Sequence, residues 1–226
     1  MNVKLANYTP EPDRTAAHAA LTCYSEDIPD KEEMSEEKVK DILERIKESG
    51  HHSVIEHASF TFEIGEVSRS LTHQLVRHRL ASYSQQSQRY VTIEDFDPVK
   101  PETIKEDDEA EELFEECIEK IRETYQKLID KDIPAEDARY VLPNATRSNI
   151  IVSMNARELW HFFSLRCCRR AQWEIKEMAE RMLKEVKKVA PIIFEDAGAP
   201  CIRGPCPESE EFSCGEPVSK DRYEPD

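Results

Sequence analysis

The chain has no apolar run approaching the roughly 18 residues that a membrane-crossing helix requires. Its N-terminal stretch MNVKLANYTP lacks the basic-then-apolar order of a secretory signal, so a cytoplasmic protein without membrane contact is expected. An even cysteine framework is also missing. The seven cysteines, with Cys167 and Cys168 adjacent, do not read as a set of disulfides and fit a reducing compartment. Internal repeats and low-complexity segments are absent, and the 31 lysines and arginines are outnumbered by 47 acids. The net charge of -16 argues against general nucleic-acid binding. What remains is a 226-residue chain with 38% hydrophobic and 35% charged residues, long enough to bury a core.

Against that acidic background, residues 77 to 90 reverse the sign. They read RHRLASYSQQSQRY, with Arg77, His78, Arg79 and Arg89 among serines, glutamines and tyrosines and without one carboxylate. Guanidinium forks suit phosphate oxygens, and neighbouring hydroxyls and amides can read the polar edge of a ring, so a phosphorylated, ring-bearing ligand is inferred. Acid is missing altogether from three stretches: 67–93, 138–157 and 159–173. Each carries three or four arginines. Together they point to a focused anion site, although pairing of Arg147 and Arg169 with the acidic helices is an equally good reading.

The hydrophobic pattern predicts an α+β fold, a single domain with a central, mainly antiparallel sheet flanked by long helices. Val39, Ile42, Leu43 and Ile46 mark an amphipathic helix that ends at Gly50. Phe60, Phe62 and Ile64 alternate with polar residues as in a half-buried strand. A helix over 68–76 would deliver the arginine triplet near its end, leaving residues 80–92 as an ordered loop. Leu113, Phe114, Cys117, Ile118, Ile121, Tyr125 and Leu128 form the stripe of a long helix between residues 100 and 132, whose charge run reads as a solvated face. Pro134 can begin a short helix, and Pro143 interrupts the chain. Residues 149–154 read as a buried strand, Asn155 as the cap of a helix bearing Leu159, Phe162, Phe163 and Leu165, and residues 171–189 as a final helix that stops at Pro191.

Arg77-His78-Arg79 followed after seven residues by Ser87 resembles the signature of the flavin-dependent thymidylate synthases. The upstream segment His51-His52-Ser53-Val54-Ile55-Glu56-His57 and the downstream Asn155-Ala156-Arg157 and Arg166–Glu174 stand in the order of that family. The resemblance runs from about residue 15 to about residue 195, and several ordered motifs are far more specific than one. It implies synthesis of dTMP from dUMP with 5,10-methylenetetrahydrofolate as one-carbon donor, FAD as redox carrier and NADPH as reductant, and without a cysteine nucleophile. It also implies a homotetramer with shared active sites. By the same resemblance, dUMP is bound by Gln74, Leu75, Val76 and Arg77, by the loop of Gln85, Gln86, Ser87, Gln88 and Arg89, and by Arg139. Arg166 is the catalytic arginine that favours ionisation of the uracil ring and also touches dUMP. FAD contacts are His51, Ser53, Arg77, His78, Arg79, Gln85, Asn155, Ala156, Arg157 and His161. The chain departs from the common family pattern at Gln85, where many relatives carry glutamate, and in some relatives at His161 and Arg170.

Other readings of the same residues stay open. Ser87 could act as a nucleophile with His78 as base, but no glycine-rich elbow and no acidic orienter surround it, so a ligand-binding hydroxyl is preferred. His51, His52, Glu56 and His57 match no zinc-hydrolase template, and no metal is expected. Residues 1–199 are taken as the catalytic domain. Residues 200–226 read as a flexible tail rich in cysteine, proline and acid, with Cys201, Cys206 and Cys214 as a competing zinc motif. A nucleotide-binding regulatory protein without catalysis is the principal rival.

Overall fold

A computed structural model describes residues 1–90 and 97–225. Among them, four strands form one antiparallel sheet in the order β1-β2-β4-β3, from β1 (Asn2–Tyr8), β2 (Ser59–Ser68), β3 (Ala81–Gln85) and β4 (Arg147–Asn155). Helices α1 (Pro12–Thr22) and α2 (Glu36–Ser49) lie between β1 and β2, and α3 (Arg69–Leu75) follows β2. Then come α4 (Glu102–Lys105), α5 (Asp108–Ile129), α6 (Ala135–Ala138), α7 (Ala156–Arg166) and α8 (Trp173–Val189). The α+β class is as the sequence predicts.

The chain gathers into two compact units, one of residues 1–2, 64–77 and 84–150, the other of residues 3–63, 78–83 and 151–226. In the first, Ser68 caps α3 by accepting a hydrogen bond from the Leu71 amide at 3.0 Å, and the Arg69 and Ser70 amides donate to the carbonyls of Thr146 and Asn144. Three amide donors at the helix start are thus satisfied, which holds α3 where it can present its C-terminal residues. Helix α5 buries Ile118 and Tyr125. Leu113 is exposed: five residues before Ile118, it points about 140° away around the helix.

In the second unit, Val39, Leu43 and Ile46 face inward from α2, Gly50 ends that helix with φ 72°, and α8 buries Met178, Met182 and Val186. Helix α7 starts where Asn155 Oδ1 accepts from the Glu158 amide at 2.9 Å, and its Leu159, Phe162 and Phe163 are fully buried. Phe163 and Phe60 both meet Phe194 edge to face, at 6.0 and 5.4 Å between ring centres.

Several expectations change. The polar segment 81–85 is strand, not loop. Its alternation is written in Ser82, Tyr83, Ser84 and Gln85, which carry little hydrophobic signal. Residues 91 and 92 of the expected loop lie outside the described residues. Strand β4 is half-buried, with Ile151 turned outward, because it alternates between faces. Leu165 and Trp173 are likewise largely exposed.

The segment after residue 199, expected to be flexible, buries Val218 and Tyr223. The Tyr223 hydroxyl donates to the Cys167 carbonyl at 3.1 Å, Arg222 forks onto Glu180 at 2.7 and 2.9 Å, and Lys187 meets Glu224 at 2.7 Å. Its ring lies against Gly198, whose φ is +134° and where a Cβ would come within 2.5 Å of a ring carbon. Gly198→Ala therefore combines a strained backbone with a clash and should cost at least about 2 kcal/mol. Tyr223→Phe, losing one hydrogen bond, should cost about 1 kcal/mol. Chemical denaturation of the two variants checks this; equal midpoints for Gly198→Ala and wild type would refute the packing argument.

Candidate active site

Helix α7 carries Glu158, Phe162 and Arg166 at spacings of four residues, so the three project from successive turns of one face. All three converge on His78, which follows α3 and is buried. Its Nδ1 lies 3.4 Å from Glu158 Oε1, its Nε2 accepts from Arg166 Nε at 3.1 Å, and its ring meets the Phe162 edge at 4.9 Å between centres. His161, from the same helix, stands 6.0 Å away, and the Tyr83 hydroxyl donates to the His78 carbonyl at 2.7 Å.

This surrounding fixes the charge state of the imidazole. Burial first, then the nearby Arg166 and His161 charges, lower the His78 pKa from 6.5 to about 4. The ring is neutral at physiological pH. Since the arginine Nε–H can only donate, Nε2 holds the lone pair and the proton sits on Nδ1, the ring nitrogen 3.4 Å from the Glu158 carboxylate. Burial raises the Glu158 carboxyl above its ordinary value, and burial also lowers the Arg166 guanidinium.

The other unit holds the residues expected to bind the nucleotide, apart from Arg166. Gln85 donates through Nε2 to Thr72 Oγ1 at 3.0 Å and to Ser148 Oγ at 3.1 Å. Gln86 and Asn149 exchange two bonds, backbone amide to carbonyl at 2.8 Å and side chain to side chain at 3.0 Å. The chain then turns at Ser87, whose Oγ accepts from the Arg89 amide at 3.1 Å. Gln88 leaves its buried Nε2 without a partner among the described residues, an unsatisfied donor in the segment where a ligand is expected. Arg77 is exposed at the end of α3, beside Gln74, Leu75 and Val76, and has no acidic partner among the described residues. Arg89 pairs with Glu136, whose carbonyl also accepts from Arg139 Nε at 2.9 Å. Arg147 and Arg169 do pair with acids, but with loop residues and not with the acidic helices of the alternative reading: Arg147 meets Asp97 at 2.8 Å and Arg169 meets Glu216 at 2.9 Å.

Of the residues expected at the flavin, all but Arg77 and Gln85 lie in the unit of His78. His51, Ser53, Arg79, Arg157 and His161 are exposed, and Arg157 meets Glu56 at 2.5 Å. Asn155 spends its oxygen on the α7 cap and keeps its amide hydrogens, while Ala156 is buried. Two guanidiniums, two imidazoles, a hydroxyl and an amide, offset by the single carboxylate Glu56, form a donor set that fits a pyrophosphate-bearing cofactor such as FAD. Residues 52–57 form a tight 3-10 turn, with His52 against the Trp160 ring at 5.8 Å. Among the described residues, no group of three or more histidine, cysteine or acidic side chains is arranged to hold a metal ion. Beside the end of α7, a cavity of about 640 Å³ is lined by Arg166, Cys168, Arg170, Cys201, Cys206, Phe212 and Cys214 among others.

The sequence profile of the family described as thymidylate synthase complementing protein matches residues 4–192. The flavin-dependent thymidylate synthase of Geobacter sulfurreducens is 51% identical over 219 residues, covering 95% of this chain and 94% of that protein. The chain belongs to this family. Flavin-dependent thymidylate synthases of Clostridium tetani, at 48% identity over 235 residues, and Pyrococcus abyssi, at 46% over 221, also span more than nine-tenths of both sequences.

Sequence reasoning from the family pattern missed the supporting residues Glu158, Tyr83, Thr72, Ser148 and Asn149. One signal was visible: Glu158 is the only acid between residues 138 and 173, a stretch with six arginines. A lone carboxylate on the apolar side of a helix asks for a buried partner.

The histidine state has a pH signature. Unfolded, His78 takes up a proton near pH 6.5; folded, it resists to about pH 4, so the unfolded state binds more protons in between. Its contribution to stability is complete above pH 6.5 and is lost as pH falls toward 4, by a total on the order of 3 kcal/mol. Glu158, raised in the folded state, works in the opposite direction over the carboxylate range. The difference in unfolding free energy between wild type and His78→Gln should therefore shrink from pH 7 to pH 5, and a constant difference would contradict the neutral assignment.

Proposed function

We propose that this chain is a flavin-dependent thymidylate synthase that converts dUMP to dTMP, with 5,10-methylenetetrahydrofolate as one-carbon donor and NADPH as reductant. Family membership over nearly the whole chain carries this reading. The methylene carbon leaves the folate nitrogens for C5 of the pyrimidine, C5 loses its proton, tetrahydrofolate is released, and a hydride that originates on NADPH completes the methyl group. FAD, when bound, supplies the hydride chemistry. A regulatory protein without catalysis has no support in the family comparison. His51, Ser53, His78, Arg79, Asn155, Arg157 and His161 are assigned to the flavin, with Arg77 and Gln85 serving both ligands.

In this reading, Arg166 stands against the uracil ring. A permanent cation there lowers the cost of negative charge as the ring is activated. Because its Nε is engaged by His78, the guanidinium offers its terminal nitrogens to the base. Arg77 and the turn from Gln85 to Arg89 take the phosphate, the orphaned Gln88 amide being one of its donors. No cysteine is needed as nucleophile. Burial pushes the Cys167 thiol far up, so it remains protonated and unreactive. A cytoplasmic homotetramer with sites shared between subunits belongs to the same proposal, motivated by the three separate arginine-rich segments.

The direct test is purification of the full chain, measurement of its flavin content, and assay of dTMP formation with each reactant omitted in turn. A colourless protein that forms no dTMP when FAD is added overturns the reading. Arg77→Ala should weaken binding of dUMP by roughly 1.5–3 kcal/mol while leaving unphosphorylated deoxyuridine nearly unaffected. Equal losses for the two ligands in calorimetry would remove Arg77 from the phosphate site. Arg166→Lys should keep FAD and oxidise NADPH, yet form little dTMP in a single turnover, since the planar fork is lost.

A further inference from the structure

We infer that Glu158 is a positioning residue: it fixes the proton of His78 on Nδ1, so that Nε2 keeps the lone pair that holds the Nε–H of Arg166. The inference rests on the proposed role of Arg166 at the pyrimidine.

Arg166 Nε donates to His78 Nε2 at 3.1 Å, and on the other side of the ring Nδ1 lies 3.4 Å from the Glu158 carboxylate, so guanidinium, imidazole and carboxylate stand in sequence. Both His78 and Glu158 are nearly excluded from solvent, at 5% and 6% exposure, so water does not replace either contact freely. An imidazole carrying its proton on Nε2 would set that N–H against the arginine Nε–H, donor against donor, and the guanidinium would have to turn away. Which ring nitrogen is protonated is decided by what the other nitrogen meets. Here Nδ1 lies 3.4 Å from Glu158, and an apolar residue at that position would remove this carboxylate.

The rest of the surrounding restrains the ring without choosing its tautomer. Phe162 packs edge to face on it, and Tyr83 holds its backbone carbonyl. Glu158, Phe162 and Arg166 belong to one face of one helix, so the spacing that brings the carboxylate to Nδ1 also brings the guanidinium to Nε2. The terminal nitrogens of Arg166 have no protein partner among the described residues, and its side chain borders the cavity at the end of α7. Glu158 does not touch that cavity. It acts on the arginine only through the histidine, and its removal should alter the turnover step more than nucleotide binding.

The experiment uses ¹⁵N-histidine-labelled, FAD-loaded full-length enzyme, with the His78 ring signals in solid-state NMR assigned by their loss in His78→Gln. Wild type should show a protonated Nδ1 and a bare Nε2. In Glu158→Leu the bare Nε2 signal should disappear, and kcat for dTMP should fall at least about tenfold, with the KM for dUMP within about threefold and the flavin content unchanged. Glu158→Gln, whose amide oxygen can accept the same N–H, should retain the bare Nε2 and recover most of the lost kcat.

A proton on Nε2 in wild type overturns the inference, as does a Glu158→Leu enzyme with the wild-type tautomer or with kcat within about twofold of wild type. If Glu158→Leu does not fold, the wild-type and Glu158→Gln spectra decide, and a proton on Nε2 in either refutes it. A wild-type enzyme that makes no dTMP would instead overturn the proposed function, while the spectra would still report the tautomer.

Discussion

The hydrogen bond from Arg166 to His78 is the constraint around which the unit of His78 is arranged. A guanidinium has no acceptor, so its placement against a histidine nitrogen demands that the histidine be neutral and correctly oriented. That demand reaches outward to Glu158 and Phe162 along α7 and to Tyr83 at β3. It also explains why α7 begins where it does: the Asn155 cap sets the first turn, and Glu158, Phe162 and Arg166 follow at intervals of four. A shift of one residue would carry all three away from the ring by about 100°. Burying a cation and a carboxylate costs desolvation that their attraction only partly returns. The neutral ring between them spaces the charges, accepting a hydrogen bond from the cation and lying 3.4 Å from the carboxylate.

Charge is organised on a larger scale by omission. Acid is absent from the segments around residues 67–93, 138–157 and 159–173 and abundant on α5, which lets a strongly anionic protein keep cationic side chains for ligands. Arg89, Arg147, Arg157 and Arg169 have acquired acidic partners from outside those segments. Exposed pairs of this kind are worth little and yield easily to a stronger anion. Arg77 and Arg79 have no such partner among the described residues, so a ligand meets them without first displacing a carboxylate.

Much of this was legible in the sequence because it is written in short-range patterns. The α2 stripe, the Gly50 stop, the alternation of β2 and the Asn155 cap each depend on a few neighbouring residues, and each appears in the structure. The α+β class followed from them. Strand β3 was not legible, since a strand made of serine, tyrosine and glutamine has no hydrophobic period and is recognised only by what it pairs with. Glu158 was missed for a related reason. Its meaning depends on His78, eighty residues earlier, and no local pattern joins a buried acid to a distant imidazole. The packing of Tyr223 on Gly198 was equally hidden: it is a long-range fit between a ring and a missing side chain.

The cavity at the end of α7 changes how thiol chemistry on this protein should be interpreted. Cys168, Cys201, Cys206 and Cys214 all contribute to its wall, and Cys206 and Cys214 are exposed, whereas Cys167 is sealed beneath Tyr223. An alkylating reagent would reach the wall and leave its bulk in the space that Arg166 borders. Inactivation by such a reagent would then reflect obstruction near the guanidinium, and it would carry no information about a cysteine nucleophile.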